Sequence, residues 1–478
     1  MGTTSTLAPG TRPASGTAGA ELLVELRRAD RRPLRAQLED GLREAARTGR
    51  VRAGARLPAT RVLATDLGVS RRLIVDAYAQ LVAEGYLISR AGAGTYVAEA
   101  AANAPAPAAE PPAPRARFDF FPGYPDLASF PRRQWLRAMR EVLASAPAAS
   151  LGYPDAQGAP ELRRALAEHL RRVRGVVADP RTIVVCSGTA QGLALLARAL
   201  GGPHIAVEDP GLPPHRAILL AHGARLSPVA VDGNGARVQE LAAIEARAGA
   251  LDAVFVTPAH QSPTGVAAAP ERRAALLEWA AGGTRFVIED DYDAEYRYDR
   301  APLAALQGLA PDRVIYMGTV SKTLAPALRL GWLVLPRALI DAFVEQRNLA
   351  DHGAPTLDQL ALARLISSGA YDRHLRQARR RYRARRDALV GALARHLPGA
   401  RVEGLAAGLH AIVRLGSELD SAELARVAYA HSVVVYPLSY AYLEPKAVGD
   451  SVVLGYANLT ESEIEEGISR LAAALAEL

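Results

Sequence analysis

The sequence predicts a large α/β domain, with a mostly parallel sheet covered by helices on both faces, preceded by a small domain of three helices and a hairpin. From about residue 160 onward, short continuous apolar runs alternate with amphipathic helical patterns. This alternation is typical of buried parallel strands joined by helices. An Ala/Pro tract at residues 99–117 lacks the residues of a core and favours extended backbone, so it predicts a boundary between the two domains.

Composition divides the 478 residues into four predicted segments. Residues 1–20 are rich in Gly, Ser, Thr, Ala and Pro and predict a disordered tail. Residues 21–98 form the small domain, residues 99–117 the linker, and residues 118–478 the large domain.

Several classes of protein are excluded by composition. No apolar run approaches the 18 residues that a membrane-spanning helix needs, and the N-terminus lacks the pattern of a secretory signal. One cysteine, Cys186, excludes a disulfide framework and a multi-cysteine zinc site. We therefore expect a cytoplasmic protein that holds no metal and makes no membrane contact.

Positive charge is concentrated in the small domain. The whole chain has a net charge of +7, and residues 21–98 contain 14 Arg and 9 Asp or Glu, which gives 14 − 9 = +5. A basic segment of this size is a candidate for binding a polyanion such as DNA. An arginine-rich solvated surface explains the charge alone equally well.

The order of elements in the small domain is that of a winged helix-turn-helix. The predicted elements are helices from Pro33 to Thr48, from Pro58 to Leu67 and after a Ser70 cap, followed by strands at Tyr86–Ser89 and Thr95–Val97. The N-terminus of the third helix would enter the major groove, while the second helix and the glycine-rich turn would contact the DNA backbone. The predicted contacts with operator DNA are Arg61, Ser70, Arg71, Arg72, Gly92 and Gly94.

The segment from Pro33 to Ala98 resembles the GntR-type winged-helix domain over its whole length. The resemblance implies DNA binding. The family usually has a small polar residue at the position of Arg72 and Thr at the position of Leu73, so base preference is expected to differ.

Six apolar runs of the large domain predict the strands of its sheet. They are Thr182–Cys186, Ile205–Val207, Ala253–Val256, Phe286–Ile288, Val314–Met317 and Trp332–Leu335. Ligands of such sheets bind beyond the carboxyl ends of the strands. The chemistry-bearing motifs follow these runs directly.

Lysine is almost absent from the chain, which draws attention to Lys322. Only Lys322 and Lys446 occur among 57 basic residues. Arginine can replace lysine on a surface, but not where an amine must lose its proton and attack a carbonyl. Lys322 stands between hydroxyl residues and seven residues before Arg329, a pattern that indicates a Schiff base with pyridoxal phosphate.

Two further turns supply groups for such a cofactor. Ser187-Gly188-Thr189 opens a helix whose free backbone N–H groups can bind phosphate, although many α/β turns look the same. Glu289-Asp290-Asp291 offers a carboxylate for the pyridine nitrogen, and clustered carboxylates could equally bind a metal or be solvated. Strand alternation directs Glu289 and Asp291 away from Asp290.

Residues 118–478 resemble a fold-type I, class I aminotransferase, and the whole chain resembles the MocR (GabR-like) subfamily of GntR regulators. The motifs, in chain order, are FFPGYPDLASFPRRQW, LGYPDAQGAPELR, VCSGTAQGLALLA, VEDPG, TPAHQSPTG, IEDDYDAEYRYD, MGTVSKTLAPALRLGWLVLP, AGLHAIVRL and VYPLS. The resemblance implies an internal aldimine at Lys322, with Asp290 on the pyridine nitrogen and Tyr292 on the ring hydroxyl. The other cofactor residues that it implies are Gly188, Thr189, Ser321 and Arg329 at the phosphate, Ser262 beside the ring, and Tyr153, which in a homodimer reaches the partner's phosphate.

Three positions depart from the aminotransferase pattern. Leu212 replaces the tyrosine that stacks on the ring, and Ser262 replaces an aromatic residue of regulators or an asparagine of aminotransferases. Val453 replaces the arginine that clamps a substrate carboxylate. Cofactor binding is therefore expected to be intact and amino-acid binding weakened, with Arg216 and Arg414 as possible substitutes for the missing arginine.

These observations favour a DNA-binding transcriptional regulator that senses pyridoxal phosphate, an amine or an amino acid through an aldimine at Lys322. At most weak or partial transaminase activity is expected. The alternatives are an active aminotransferase with an accessory winged helix and a DNA-binding protein whose large domain is only a dimerisation scaffold.

Overall fold

The computed structural model describes residues 26–30, 32–99, 116–298, 303–416, 420–444 and 450–478. Its contacts divide the chain into two compact units between Ala113 and Pro114. The predicted tail at residues 1–20, most of the predicted linker and Lys446 lie outside the described residues. In the part of the chain that is described, no helix is both long and apolar enough to cross a lipid bilayer.

The first unit has the predicted three helices and hairpin. Its elements are α1 (Leu34–Arg47), α2 (Thr60–Asp66), α3 (Arg71–Ala83), β1 (Leu87–Arg90) and β2 (Gly94–Val97). The two strands pair antiparallel, from Leu87 opposite Val97 to Arg90 opposite Gly94. Ser70 caps α3, since its hydroxyl accepts a hydrogen bond from the Leu73 N–H at 3.3 Å, as predicted.

The second unit contains eleven helices and fourteen strands among the described residues. Its helices are α4 (Arg132–Ser145), α5 (Pro160–Arg174), α6 (Thr189–Ala199), α7 (Pro213–Ala221), α8 (Leu241–Ala248), α9 (Pro270–Ala281), α10 (Ile340–Asp351), α11 (Thr356–Ser367), α12 (Ala370–His396), α13 (Ser421–Ala430) and α14 (Glu461–Leu475). Its strands are β3 (Phe118–Asp119), β4 (Ile183–Cys186), β5 (His204–Asp209), β6 (Arg225–Asp232), β7 (Gly235–Ala236), β8 (Ala253–Val256), β9 (Phe286–Asp290), β10 (Val314–Thr319), β11 (Gly331–Val334), β12 (Arg401–Glu403), β13 (His410–Arg414), β14 (Val433–Val434), β15 (Tyr436–Pro437) and β16 (Ser451–Gly455).

The main sheet has eight strands in the order β4-β11-β10-β9-β8-β5-β6-β7. The strands β10, β9, β8, β5 and β6 pair parallel, whereas β11 runs antiparallel to both β4 and β10. All six predicted strands lie in this sheet. The carboxyl ends of β4, β5, β8, β9 and β10 therefore meet at one edge.

Helices cover both faces of this sheet, as the sequence predicts. Alternate residues of β4 show this directly. Ile183 and Val185 pack in one core cluster with α5 and α11, and Val184 and Cys186 pack in another with α6 and α10. Successive side chains of a strand point to opposite faces of the sheet, and both faces are buried here. The sequence of β4 is therefore apolar throughout.

Three groups of strands in the second unit were not predicted, one of them the short parallel pair β3 and β14. The edge pair β6 and β7 was missed because β6 contains Pro228 and is only partly buried, so it lacks a continuous apolar run. A separate four-stranded antiparallel sheet, in the order β12-β13-β16-β15, stands on the C-terminal part of the chain. Its strands pair across distances in sequence that local patterns do not show.

Candidate functional site

A cavity of about 290 Å³ lies at the carboxyl edge of the main sheet. Its lining includes Phe121, Pro122, Gly123, Thr189, Ala190, Leu212, Pro214, His215, Ser262, Asp290, Tyr292, Thr319, Ser321, Lys322, Pro326, Arg329 and His410. The structure thus brings together seven of the predicted cofactor residues. Gly188 lies directly before Thr189, and Tyr153 stands apart from the cavity.

Lys322 follows the end of β10, with its side chain in the cavity. Burial lowers the pKa of its ammonium below the ordinary value, although Asp293 and Asp290 oppose the shift. A lower pKa increases the fraction of neutral amine, which is the nucleophilic form. A Cβ atom on Gly123 would lie 3.3 Å from Lys322 Nζ, so glycine at this position leaves room for the amine.

Asp290 is the last residue of β9, and its carboxylate is buried without a hydrogen-bond partner among the described residues. Burial, reinforced by Asp291 and Asp293, raises the pKa of Asp290 to about 8. The closest basic group is Nδ1 of His215, 3.7 Å from the carboxylate. A buried carboxylate without partners is unfavourable unless a ligand supplies a donor. A protonated pyridine nitrogen is such a donor, so the site fits the ring of pyridoxal phosphate.

The two carboxylates beside Asp290 are structural groups, as strand alternation predicts. Glu289 accepts the backbone N–H groups of Leu306 and Gln307 at 2.8 and 3.0 Å. Asp291 forms a two-point ion pair with buried Arg174, at 2.7 and 3.0 Å. Within the described ranges, no three His, Cys, Asp or Glu side chains are grouped as a metal site.

The other end of the cavity is built to hold an anion. Gly188 has a φ of +82° and opens α6, whose first N–H groups are free of helical partners. Arg329 donates to the Ser187 carbonyl at 2.5 Å, and a Cβ atom on Gly188 would lie 3.2 Å from its guanidinium. Thr319 donates to the Ser321 hydroxyl at 2.9 Å. Backbone donors, hydroxyls and a guanidinium together fit a phosphate group.

A buried histidine–aspartate pair, His260 and Asp293, contacts Tyr292. His260 Nδ1 lies 2.9 Å from Asp293 and 3.3 Å from the Tyr292 hydroxyl. His410 lines the cavity, and its Nε2 lies 3.1 Å from the Pro263 carbonyl. Burial lowers the pKa of His410 to about 4, which keeps its imidazole neutral at physiological pH.

The region of the missing carboxylate clamp is apolar. Val453 is buried in a cluster with Ile412, Leu438 and Ala441. Of the two possible substitutes, Arg216 reaches the edge of this cluster at Ala441, but the guanidinium groups of both are bound to other protein groups. Arg216 donates to the Ala441 carbonyl at 2.8 Å, Arg414 pairs with Glu403 at 2.7 Å, and neither lines the cavity.

Tyr153 is 93% exposed and belongs to the surface of this unit. Its nearest aromatic neighbour is His352, with ring centroids 6.1 Å apart. The contact of Tyr153 with a partner subunit stays a prediction.

The predicted DNA contacts lie on the surface of the first unit. Arg61, Arg71 and Arg72 are exposed, and the Arg72 side chain is 90% exposed. Ser70 has its hydroxyl engaged as the cap of α3, so its first role is structural. Arg56 was missed by sequence reasoning: a Cβ atom on Gly94 would lie 2.9 Å from its Nε, which places another guanidinium at the hairpin.

Both units match known protein families. Residues 34–97 match the bacterial regulatory proteins of the gntR family, and residues 123–471 match aminotransferase class I and II. Over 92% of its length the chain is 36% identical to the probable rhizopine catabolism regulatory protein MocR of Rhizobium meliloti, with 94% of that protein covered. It is 35% identical to the HTH-type pyridoxine biosynthesis transcriptional regulator PdxR of Corynebacterium glutamicum, over 82% of this chain and 86% of that protein.

Solved aminotransferases share the fold of the second unit. The kynurenine aminotransferase of Pyrococcus horikoshii superimposes with a TM-score of 0.70 at 27% identity, covering 75% of this chain and 91% of the enzyme. An archaeal alanine:glyoxylate aminotransferase gives a TM-score of 0.70 at 29% identity, with the same two coverages. The matched share corresponds in size to the second unit.

Proposed function

This chain belongs to the MocR-type subfamily of GntR transcriptional regulators, and from that premise we propose that ligand occupancy of the Lys322 cavity controls its binding to operator DNA. The first unit would bind DNA through α3 and the hairpin. The second unit, an aminotransferase-like domain, would hold pyridoxal phosphate. We place its action in the cytoplasm, where the DNA lies, and take residues 21–98, 99–117 and 118–478 as DNA-binding domain, linker and cofactor domain.

The observation that carries the cofactor proposal is the buried carboxylate of Asp290, which lies in the same cavity as Lys322 and has no hydrogen-bond partner among the described residues. Lys322 would bind the cofactor aldehyde covalently, Asp290 would accept from the pyridine nitrogen, and Tyr292 would contact the ring hydroxyl. The phosphate would be held by Gly188, Thr189, Ser321 and Arg329, with Ser262 beside the ring. When bound, pyridoxal phosphate supplies an electrophilic carbon for amines and a ring that withdraws electrons.

A homodimer follows from the same proposal. Tyr153 is exposed in one chain and would reach the phosphate of the partner. Two winged helices in one dimer would bind two half-sites, so a change in their spacing would alter affinity for the operator. Such coupling between sites is typically about 1–3 kcal/mol.

The apolar surroundings of Val453 favour a regulator over an efficient enzyme. Bidentate recognition of a carboxylate requires arginine geometry, and among the described residues Arg329 is the one arginine in the cavity lining. Arg329 lies at the phosphate end. The ligand that shifts the regulator would be the cofactor itself, an amine or an amino acid, and amino-acid turnover would be weak.

One comparison tests regulator against enzyme. Purified protein loaded with pyridoxal phosphate is offered genomic DNA fragments in one assay and a panel of amino acids in another. We expect a small set of fragments to be enriched and the cofactor spectrum to change slowly or not at all. No enrichment together with rapid conversion of the cofactor by an amino acid would favour the active aminotransferase.

A further inference from the structure

A second arginine, Arg347, lies near the phosphate end of the cavity without lining it. It belongs to α10, and its side chain is fully buried. Its guanidinium donates to Gln191 Oε1 on α6, and its Nε lies 3.1 Å from Asp351. Neither Nε nor the terminal nitrogen Nη2 has a hydrogen-bond partner in the part of the chain that is described. Burying a guanidinium whose donors are not all paired costs free energy of folding, so we expect this residue to serve a function.

Gln191 connects Arg347 to the phosphate turn. Its Oε1 accepts the backbone N–H of Ser187 at 2.7 Å, and its Nε2 donates to Asp351 at 2.7 Å. Arginine is only a donor, and an ionised aspartate is only an acceptor. Arg347 and Asp351 therefore fix the orientation of the Gln191 amide. Its oxygen faces Arg347 and the Ser187 N–H, and its nitrogen faces Asp351.

Two arginines consequently hold the residue before the phosphate-binding glycine. The Ser187 carbonyl accepts from Arg329 at 2.5 Å, and its N–H is held by Gln191, which Arg347 orients. Both guanidinium charges also act on the thiol of Cys186, although burial dominates and raises its pKa to about 12. Gly188 follows Ser187 with its φ of +82°.

We propose that Arg347 is a positioning residue for the cofactor phosphate, which acts through Gln191 to hold the Ser187–Gly188 turn in its anion-binding conformation. The inference rests on the proposed function, since it requires a phosphorylated ligand in the cavity. It adds a residue that does not touch the ligand. A purely structural role, joining α10 to α6, would support the fold without any preference for phosphate.

Phosphate dependence separates the two roles. Pyridoxal has the ring and aldehyde of pyridoxal phosphate and lacks the phosphate. The dissociation constants of both aldehydes are measured by spectral titration for the wild type, Arg347→Met, Arg347→Lys and Gln191→Leu. Arg198→Met is the matched control, since Arg198 is exposed on the far end of α6.

For Arg347→Met and Gln191→Leu we expect the dissociation constant of pyridoxal phosphate to rise about tenfold, as the loss of one charge-assisted hydrogen bond implies. That of pyridoxal should stay within about twofold. Arg347→Lys keeps the charge and one donor and should recover part of the loss, and Arg198→Met should bind both aldehydes as the wild type does.

Equal weakening for both aldehydes would assign Arg347 a structural role and overturn the proposal. Unchanged binding in both variants would overturn it as well. If Arg347→Met does not fold by circular dichroism, Gln191→Leu decides between these outcomes. A folded wild type that binds neither aldehyde would overturn the proposed function and this inference with it, whereas wild-type binding with unaffected variants overturns this inference alone.

Discussion

The carboxylate of Asp290 faces Nδ1 of His215 across 3.7 Å at the carboxyl end of β9. Neither group has a hydrogen-bond partner within the described residues. Burial lowers the pKa of His215 to about 4 and raises that of Asp290 to about 8, so the surroundings disfavour the charged form of each. A ligand that brings a cationic ring nitrogen to Asp290 would stabilise its ionised carboxylate.

The first prediction concerns the pH dependence of the cofactor-free protein. An unfolded aspartate titrates near pH 4, below the value of about 8 for folded Asp290. The folded state therefore binds this proton more tightly, and the group's contribution to stability falls as pH rises through 8. Between pH 7 and pH 8, we expect the melting temperature of Asp290→Asn to fall less than that of the wild type.

Comparison within this window isolates Asp290. The lowered pKa of His215, about 4, leaves it neutral in both states above roughly pH 7. Glu208 and Glu289, whose pKa values burial raises to about 7, are present in both proteins. Identical pH dependence of the two melting temperatures would contradict the assignment of a raised pKa to Asp290.

The second prediction concerns the covalent attachment of the cofactor. Borohydride reduction of protein loaded with pyridoxal phosphate should fix the cofactor to the peptide that contains Lys322, as read by mass spectrometry. Lys322→Ala should show no adduct, because arginine cannot replace the amine as a nucleophile. Lys446→Ala changes the only other lysine of the chain and should retain the adduct. An adduct that persists in Lys322→Ala would refute the attachment site.

The third prediction concerns the DNA-binding surface. Arg71→Ala and Arg72→Ala should each weaken operator binding by about tenfold and reduce its salt dependence, because exposed arginines at the start of α3 would contact phosphate or base edges. Arg47→Ala, at the end of α1, is the matched control for loss of one positive charge. Unchanged affinity for both α3 variants in an anisotropy titration would reject the groove arrangement.

The fourth prediction concerns the buried ion pair between Arg174 and Asp291. Arg174 and Asp291 are nearly inaccessible to solvent. Arg174→Met would leave the carboxylate unpaired and should cost about 3–5 kcal/mol of unfolding free energy in urea denaturation. Arg172→Met removes an exposed pair with Asp372 and should cost less than about 1 kcal/mol. Equal losses in the two variants would contradict the buried-pair account.

Sequence reasoning predicted those parts of the molecule that local patterns determine. The strands that end at Cys186 and Asp290 were predicted because they are buried on both faces and read as apolar runs. Lys322 was found because lysine is rare in this chain. The opposite orientations of Glu289 and Asp290 followed from strand alternation, and the structure confirms them.

The groups that sequence reasoning missed depend on contacts between distant segments. His215 meets Asp290 only because the start of α7, which follows β5, and the end of β9 share one sheet edge. Arg347 and Gln191 are 156 residues apart, and no local pattern links them. The sequence offered Arg216 as a substitute for the missing carboxylate-binding arginine, but its guanidinium donates to the Ala441 carbonyl.

The most direct test of the account is the affinity of the protein for a DNA fragment selected from its own genome, measured with and without pyridoxal phosphate. A panel of amines is then added to the cofactor-loaded protein, and Lys322→Ala is carried through the same titrations. We predict that the cofactor, alone or with one amine, shifts wild-type affinity by about fivefold or more, and that Lys322→Ala shows no shift. DNA binding that is equal in all ligand states would contradict the claim that the Lys322 cavity controls the winged helix.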